Sequence, residues 1–323
     1  MDTRQLKYFV QVIESGSFSK ASRQLFIAQP ALSARVARLE EEVGKPLLLR
    51  SVRGVVPTEN GLALYQHAKF ILRQLDEAIF VARRELADVR GRVTLGLAPS
   101  TACVVGLPLL THLAAMHPGI LLNIIGALPG HLEEMARTGQ LDVAVLFSPT
   151  AASEMTCEPL LEEDLVLVLP AGSDLVPPDK RSITLAEIAA LPLVLSSPTH
   201  GLRRRLVLEF ERAKLNLQPV AEIDSLLLVM RYCLAGNRAT VQPMAATHAL
   251  DAPERWRCLQ ISDISMTRSN YLFALPPHQL STAASIVRME LRRVVTGLVA
   301  SGTWPGVQML SAAANECSGA VPA

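Results

Sequence analysis

The stretch Gly16-Ser17-Phe18-Ser19-Lys20-Ala21-Ser22-Arg23-Gln24-Leu25-Phe26-Ile27-Ala28-Gln29-Pro30-Ala31-Leu32-Ser33-Ala34-Arg35-Val36-Ala37-Arg38-Leu39 decides the fold, because it holds two helix starts around one tight connection. Gly16 ends a preceding helix, and Ser17 can cap the next, in which Phe18, Ala21 and Leu25 are apolar. Ile27-Ala28 leads into a third helix opened by Pro30, a residue tolerated in a first turn. That helix has Leu32, Val36, Leu39 and Val43 on one stripe, Pro30, Ala34, Ala37 and Arg38 on the opposite side, and Ser33 and Arg35 on the flanks. Its outward face is unusually small, as close approach to another surface requires.

Upstream, Leu6, Phe9, Val10 and Ile13 recur at helical spacing, so three short helices fill the first 43 residues. Downstream, Pro46-Leu47-Leu48-Leu49-Arg50 and Val55-Val56-Pro57 bracket Ser51-Val52-Arg53-Gly54, which reads as two strands and a turn, a wing. Thr58 can cap a long helix running to about Val89, with Tyr65, Ala68, Leu72, Leu75, Ile79, Ala82 and Leu86 alternating spacings of three and four. Such a stripe predicts a dimerising seam; packing on its own domain is the plainer alternative.

Residues 1–57 carry nine basic side chains (Arg4, Lys7, Lys20, Arg23, Arg35, Arg38, Lys45, Arg50, Arg53) against five acidic ones (Asp2, Glu14, Glu40, Glu41, Glu42), although the whole chain is close to neutral at +1. A basic helical head suits double-stranded DNA. The third helix can enter a major groove with Gln29 offering an amide to adenine, Ser33 serving base or phosphate, and Arg35 and Arg38 reaching phosphate or guanine. Arg53 at the wing tip suits an adjacent minor groove. Glu40-Glu41-Glu42 is expected to repel phosphates, so that the helix docks by its N-terminal half.

Beyond Gly91, short aliphatic runs alternate with helical stretches: Val93–Leu97, Leu121–Ile125, Val143–Phe147, Leu165–Leu169, Leu193–Leu195, Val220–Ile223 and Tyr271–Leu275. This alternation predicts parallel α/β sheets in two lobes, with the chain crossing near Leu160–Asp164 and near Gln242–Pro243. The expected division is a head over 1–58, a linker helix over 59–90, a two-lobed domain over 91–300 and a mobile tail over 301–323, which is rich in Gly, Ala, Pro and Ser.

The composition is that of a folded, aliphatically packed protein: half the residues are hydrophobic, 19% charged and only 4% aromatic. No apolar run approaches the ~18 to 20 residues of a membrane span, and Met1-Asp2-Thr3-Arg4-Gln5 has no signal-peptide core, so a cytoplasmic location without a membrane partner is expected. Cys103, Cys157, Cys233, Cys258 and Cys317 are scattered without a C-x-x-C pair, as in reduced thiols. No G-x-S-x-G, H-E-x-x-H, phosphate-loop or G-x-G-x-x-G motif occurs, and the seven histidines lack metal-ligand spacing. Cys103, the one suggestive nucleophile, reads better as a packed thiol. A solute-binding protein fits the two lobes but not the basic head. An enzyme, a metal site and a cofactor are not expected.

Leu6-Lys7-Tyr8-Phe9-Val10, Gly16 to Ser22, Ala28-Gln29-Pro30-Ala31-Leu32-Ser33, Leu39-Glu40, Pro46 to Arg50, Arg53-Gly54-Val55 and Pro57-Thr58-Glu59-Asn60-Gly61 together resemble the signature of LysR-type transcription regulators. The resemblance covers roughly residues 1 to 300 and is strongest over the first 60. Ile27 to Ser33 and Tyr65-x-His67-Ala68-x-x-Ile71-Leu72-Arg73-Gln74 are similar to the nitrogen assimilation control subgroup.

The resemblance implies a winged helix-turn-helix, a linker helix and two periplasmic-binding-protein-like α/β lobes. It further implies a homodimer or homotetramer on promoter DNA, contact with RNA polymerase, and regulation by a small anionic effector, such as a carboxylate, in nitrogen or organic-acid metabolism. On its template the DNA-contacting residues are Gln29, Pro30, Ser33, Arg35, Arg38, Arg50 and Arg53, and the seam is Tyr65, Ala68, Leu72, Leu75 and Ile79. The effector cleft is lined by Ser100, Thr101, Phe147, Ser148, Ser197, Thr199, His200 and Gln242; three consecutive residues on one helix point in different directions, so at most one of Arg203, Arg204 and Arg205 is expected to face in. One departure stands out. Gly236-Asn237-Arg238-Ala239-Thr240-Val241-Gln242-Pro243 replaces the family's Gly-x-Gly turn, which leaves an effector-independent regulator as the alternative.

Overall fold

The computed structural model describes residues 1–51, 54–82, 89–250 and 252–310. The chain divides into two compact units, Met1–Asp88 and Val89–Ala323. Arg53, Leu86 and Cys317 lie outside the described residues, as do the side chains of Ile79 and Ala82.

The first unit is a helical head with a wing. α1 (Thr3–Ser15) ends at Gly16, which adopts φ +60°, and α2 (Phe18–Leu25) is capped by Ser17, whose side chain accepts the Lys20 N–H. α3 (Gln29–Val43) ends at Gly44 in the same left-handed conformation. Leu6, Phe9, Val12, Ala21, Leu32, Val36 and Leu39 close the core. β1 (Leu48–Ser51) and β2 (Gly54–Pro57) form the antiparallel wing. Val55 N–H donates to Gly16 O at 2.9 Å, and a Cβ on Gly54 would lie 2.6 Å from that carbonyl, so only glycine lets the wing seat against the α1–α2 turn.

α4 (Glu59–Ala82) starts on the Thr58 hydroxyl, which accepts the Gly61 N–H at 2.9 Å and donates to Pro46 O at 2.8 Å. The head uses the start of this helix itself. Tyr65 and Ala68 are buried among α1 and the wing, and the Tyr65 hydroxyl donates to Glu14 at 3.0 Å. These two residues therefore drop out of the expected seam, since the plainer alternative accounts for them. Leu72 packs partly on the same core, and Leu75 is half-buried.

The second unit has two lobes. The first contains β3 (Gly91–Leu97), α5 (Pro99–Met116), β4 (Ile120–Gly126), α6 (Pro129–Arg137) and β5 (Val143–Leu146). The 15-residue β6 (Thr156–Pro170) then runs out of it into the second lobe, which holds β7 (Ser182–Ile183), α7 (Leu185–Ala189), β8 (Val194–Leu195), α8 (Gly201–Arg212), β9 (Ala221–Glu222), α9 (Leu226–Gly236) and β10 (Thr240–Pro243). Two 3₁₀ turns, Met244–Leu250 and Pro253–Arg255, lead to β11 (Trp256–Ile261). β12 (Thr267–Ala274), α10 (Thr282–Ala300) and β13 (Val307–Met309) complete the first lobe. Leu95, Val105, Leu109, Leu113 and Leu291 fill the first core; Leu167, Leu169, Ile188, Phe210 and Leu259 fill one in the second. α5 is apolar and long enough for a membrane span, yet Val105, Leu109 and Leu113 are spent in that first core.

Only part of the sheet is parallel. β3 pairs in parallel with β4 and β5, but β10, β11 and β12 pair antiparallel to β6; β12 does so because it returns the chain to the lobe that β6 leaves. The second crossing is also corrected: it lies between β11 and β12, at residues 262–266, where Leu165 N–H donates to Met266 O at 2.8 Å. Gln242 instead pairs with Val166 inside the second lobe. Asn237 takes φ +47° at the end of α9, a conformation asparagine tolerates better than most residues, and so supplies the turn that a glycine would have made.

Of the expected mobile tail, residues 301–310 are ordered, and 311–323 lie outside the described residues. Trp304 is 1% exposed in the first lobe, β13 pairs with Leu161–Glu163, and Asp164 N–H donates to Gly306 O at 2.8 Å. Burying an indole outweighs the small, flexible composition around it.

Candidate functional site

On the head, α3 exposes Gln29, Pro30, Ala34, Arg35 and Arg38, with Ser33 half-buried. Ala28 precedes the helix without capping it by a side chain, so the first-turn N–H groups point outward unclaimed by one. Arg50 and Ser33 are partners: the Arg50 guanidinium donates to Ser33 Oγ at 3.1 Å and to Glu40 at 3.2 Å, and stacks 4.8 Å from the Phe18 ring centre. Arg38 pairs with Glu42 at 3.5 Å across one helical turn.

The acidic run is not a uniform repelling patch. Glu40 Oε1 accepts the Leu47 and Leu48 N–H groups at 2.8 and 3.1 Å and so fastens the wing to α3. Glu42 binds the N-terminal ammonium and Gln5. Glu41 is exposed, placed to act on phosphates at a distance.

In the second unit a cavity of about 510 Å³ opens between the lobes, and an inner chamber of about 50 Å³ adjoins it. Leu128, Pro129, His200, Leu202 and Arg268 line both. The N-termini of α6 and α8 face the larger space, and α5 begins at the inner one. Two proline-started helices therefore present N–H groups there, since Pro99 and Pro129 remove only a donor that no helical carbonyl would have met.

Arg268 is the central cation. It sits in β12 directly opposite Glu163 of β6, and its Nε donates to Glu163 Oε1 at 2.9 Å. Nη2 reaches Ser100 Oγ at 3.2 Å, and the guanidinium lies 3.9 Å over the Phe147 ring. Asn270 Nδ2 also donates to Glu163 Oε1 at 2.9 Å, leaving Glu163 Oε2 and Asn270 Oδ1 buried without a partner among the described residues. Crossing strands thus hold a preorganised positive group at the junction of the chambers.

His200 caps α8 by accepting the Leu202 N–H on Nδ1 at 3.3 Å. Burial holds its pKa below the usual histidine value, Arg268 and Arg204 push the same way, and Asp224 opposes them. Asp224 accepts the Ser197 backbone N–H at 2.9 Å, and that bond lowers its own pKa.

Ser197, Thr199, His200, Phe147 and Ser148 line the larger cavity; Ser100 and Gln242 line the inner chamber. Thr101 does not line either. One residue along a helix rotates the side chain by about 100°, and Thr101 is 1% exposed with its hydroxyl unpartnered among the described residues. Both Arg204 and Arg205 line the cavity, while Arg203 is buried on the far side of α8, 3.9 Å from Glu222. That corrects the expectation of at most one. Among the described residues no cluster of His, Cys, Asp and Glu is arranged to hold a metal, and burial raises the Cys258 thiol to about 11 and Cys233 to about 12.

Residues 3–62 match the family described as bacterial regulatory helix-turn-helix protein, lysR family, and residues 87–296 match the LysR substrate binding domain. The chain is 35% identical to the nitrogen assimilation regulatory protein nac of Klebsiella aerogenes over 297 residues, 92% of this chain and 96% of that one. Its counterpart in Escherichia coli strain K12 is 33% identical over 93% and 97% of the two chains. The chain belongs to the LysR family.

As a LysR-type protein it is a DNA-binding transcription regulator with an effector-binding domain. The crystal structure of ArgP from Mycobacterium tuberculosis shares the fold, with a TM-score of 0.71 at 20% identity over 92% of this chain and 98% of that one. In this LysR-type regulator the residues at 301–310 lie beyond the matched domain, although Trp304 is part of the lobe core. Sequence reasoning missed Arg268, Glu163, Asn270 and Asp224. The available signal was the polar run Thr267-Arg268-Ser269-Asn270 leading into an aliphatic strand, which marks a strand starting at a solvent-lined crossing.

Proposed function

We propose that this LysR-type regulator controls promoters by binding a small anionic metabolite between its two lobes, within nitrogen or organic-acid metabolism. The observation that carries the reading is the guanidinium of Arg268, held at the chamber junction by Glu163 and Ser100. Helix N-termini and Arg204 and Arg205 add to a field that favours a carboxylate. The likeness to the two nac proteins supports the metabolic assignment.

In this reading Gln29, Pro30, Ser33, Arg35 and Arg38 contact promoter DNA, with Arg50 setting Ser33 and Arg53 serving the wing. Leu72, Leu75 and Ile79 join α4 to a partner helix in a homodimer or homotetramer. The regulator acts in the cytoplasm, engages RNA polymerase and catalyses no reaction.

A second reading, effector independence, draws on the same pair: Glu163 already supplies Arg268 with an anion inside the chain. A thermal-shift series of small carboxylates on wild type and Arg268→Gln separates the two, because a ligand that binds only the folded state raises Tm. A carboxylate-dependent rise lost in the variant supports the effector reading; no rise with any carboxylate overturns it.

A further inference from the structure

The cleft carries both signs of charge. Arg268 and Asp224 share the walls of the inner chamber, and His200 feels both of them. Arg268 is compensated by Glu163, whereas Asp224 makes no ion pair among the described residues. Among the described residues its close donors are the neutral N–H and hydroxyl of Ser197, a residue of the strand-to-helix turn before α8. A ligand bearing only negative charge would bring a second anion towards an ionised carboxylate in a chamber of about 50 Å³, and like charges so placed select against a partner. A ligand with a cation one carbon from its carboxylate meets Asp224 and Arg268 with opposite charges.

The outer cavity continues the pattern. Arg204 and Arg205 line it from α8, and Glu133 on α6 is the one carboxylate among its described lining residues. Phe147, Leu128 and Tyr271 add apolar wall to the same cavity. The body of the ligand thus runs along an apolar stretch and ends among positive charges.

Resting on the reading of the cleft as an effector site, we propose that it takes an acidic α-amino acid, with its α-carboxylate at Arg268 and Ser100, its α-ammonium at Asp224, and its side-chain carboxylate towards Arg204 and Arg205. Asp224 is the specificity group. It distinguishes an amino acid from the dicarboxylate of the same length.

Calorimetric titration of the full-length protein with L-glutamate, glutarate and L-glutamine tests this. Glutarate lacks the ammonium and glutamine the side-chain charge. L-Glutamate should bind at least about tenfold more tightly than either, the worth of one charge-assisted contact. Asp224→Asn should erase the preference for glutamate over glutarate, weakening glutamate and tightening glutarate, and glutarate binding also shows that the variant is folded. Arg204→Gln with Arg205→Gln should erase the preference over glutamine. Glutarate binding as tightly as glutamate, or a preference that survives Asp224→Asn, overturns the proposal and leaves the anionic-effector reading standing. Glutamine matching glutamate overturns the acidic side chain. If none of the three binds and no other small carboxylate raises Tm, the effector reading falls with it.

Discussion

Glu163 and Arg268 face each other as register partners on the two strands that cross between the lobes, Nε to Oε1 at 2.9 Å, with the glutamate side chain almost wholly buried. Removing one partner leaves the other charge buried without a counter-ion, which costs about 3–5 kcal/mol, whereas removing both costs far less. Arg268→Gln and Glu163→Gln should each lower the stability of the second unit in chemical denaturation. The double variant should recover much of the loss. Additive losses would show that the two residues act independently and would remove the pair as the brace of the crossing.

Glu40 and Glu41 are neighbours in sequence with opposite expected effects. Glu40 accepts two wing N–H groups and pairs with Arg50, so Glu40→Ala should cost the head about 1–3 kcal/mol and weaken operator binding. Glu41 is exposed, so Glu41→Ala should leave stability unchanged and tighten DNA binding at low salt by removing a negative charge. Fluorescence anisotropy on operator DNA, paired with thermal melts, reads both. Tighter binding in both variants would restore the view that the whole acidic run acts by repulsion.

The head was legible because its signals are local: Gly16 and Ser17 end and start helices within a turn, and the Leu32, Val36, Leu39 stripe needs only helical periodicity. The cleft was half legible for the opposite reason. Ser100 and His200 follow strands that periodicity finds, but Arg268 meets Glu163 across a sequence separation of 105, and nothing in either segment alone specifies that register. Thr101 turns away from the cleft, and residue type at a helix start does not say which way each side chain turns. Residues 301–310 read as mobile from their Gly and Ser, whereas the single Trp304 decides their placement.

Trp304 fixes the segment that pairs with the first crossing strand. Trp304→Ala should cost about 3–5 kcal/mol, the range for truncating a large buried aromatic. Ending the chain at Ala300 should do at least as much, since it also strips β13 from β6. Two-step denaturation would locate the loss in the second unit while the head melts as in wild type. A shortened chain as stable as the full one would return residues 301–310 to the role of a dispensable tail.

His200 ties pH to the cleft. Its folded-state pKa is depressed, chiefly by burial, below the ordinary 6.5, so the unfolded chain takes up the proton first as pH falls. Its contribution to stability is therefore present above pH 6.5 and is lost as pH falls through the depressed folded value. In NMR titration of the imidazole, Asp224→Asn should lower the His200 pKa further, since Asp224 favours the charged ring. A rise in that variant would contradict the placement of Asp224 beside the histidine.

Leu75 separates assembly from head folding. Tyr65 and Ala68 are consumed inside the head and Leu72 is shared with it, whereas Leu75 lies one turn further along α4 and is absent from the head core. Leu75→Asp should leave the thermal transition of the head intact and convert the protein to monomers in light scattering, because a charge on a coiled-coil seam is tolerated only when the partner helix is gone. Tyr65→Phe should do the reverse: it loses the hydrogen bond to Glu14 and destabilises the head by about 1 kcal/mol with assembly unchanged. A Leu75→Asp protein that stays dimeric would place the contact between copies elsewhere than on α4.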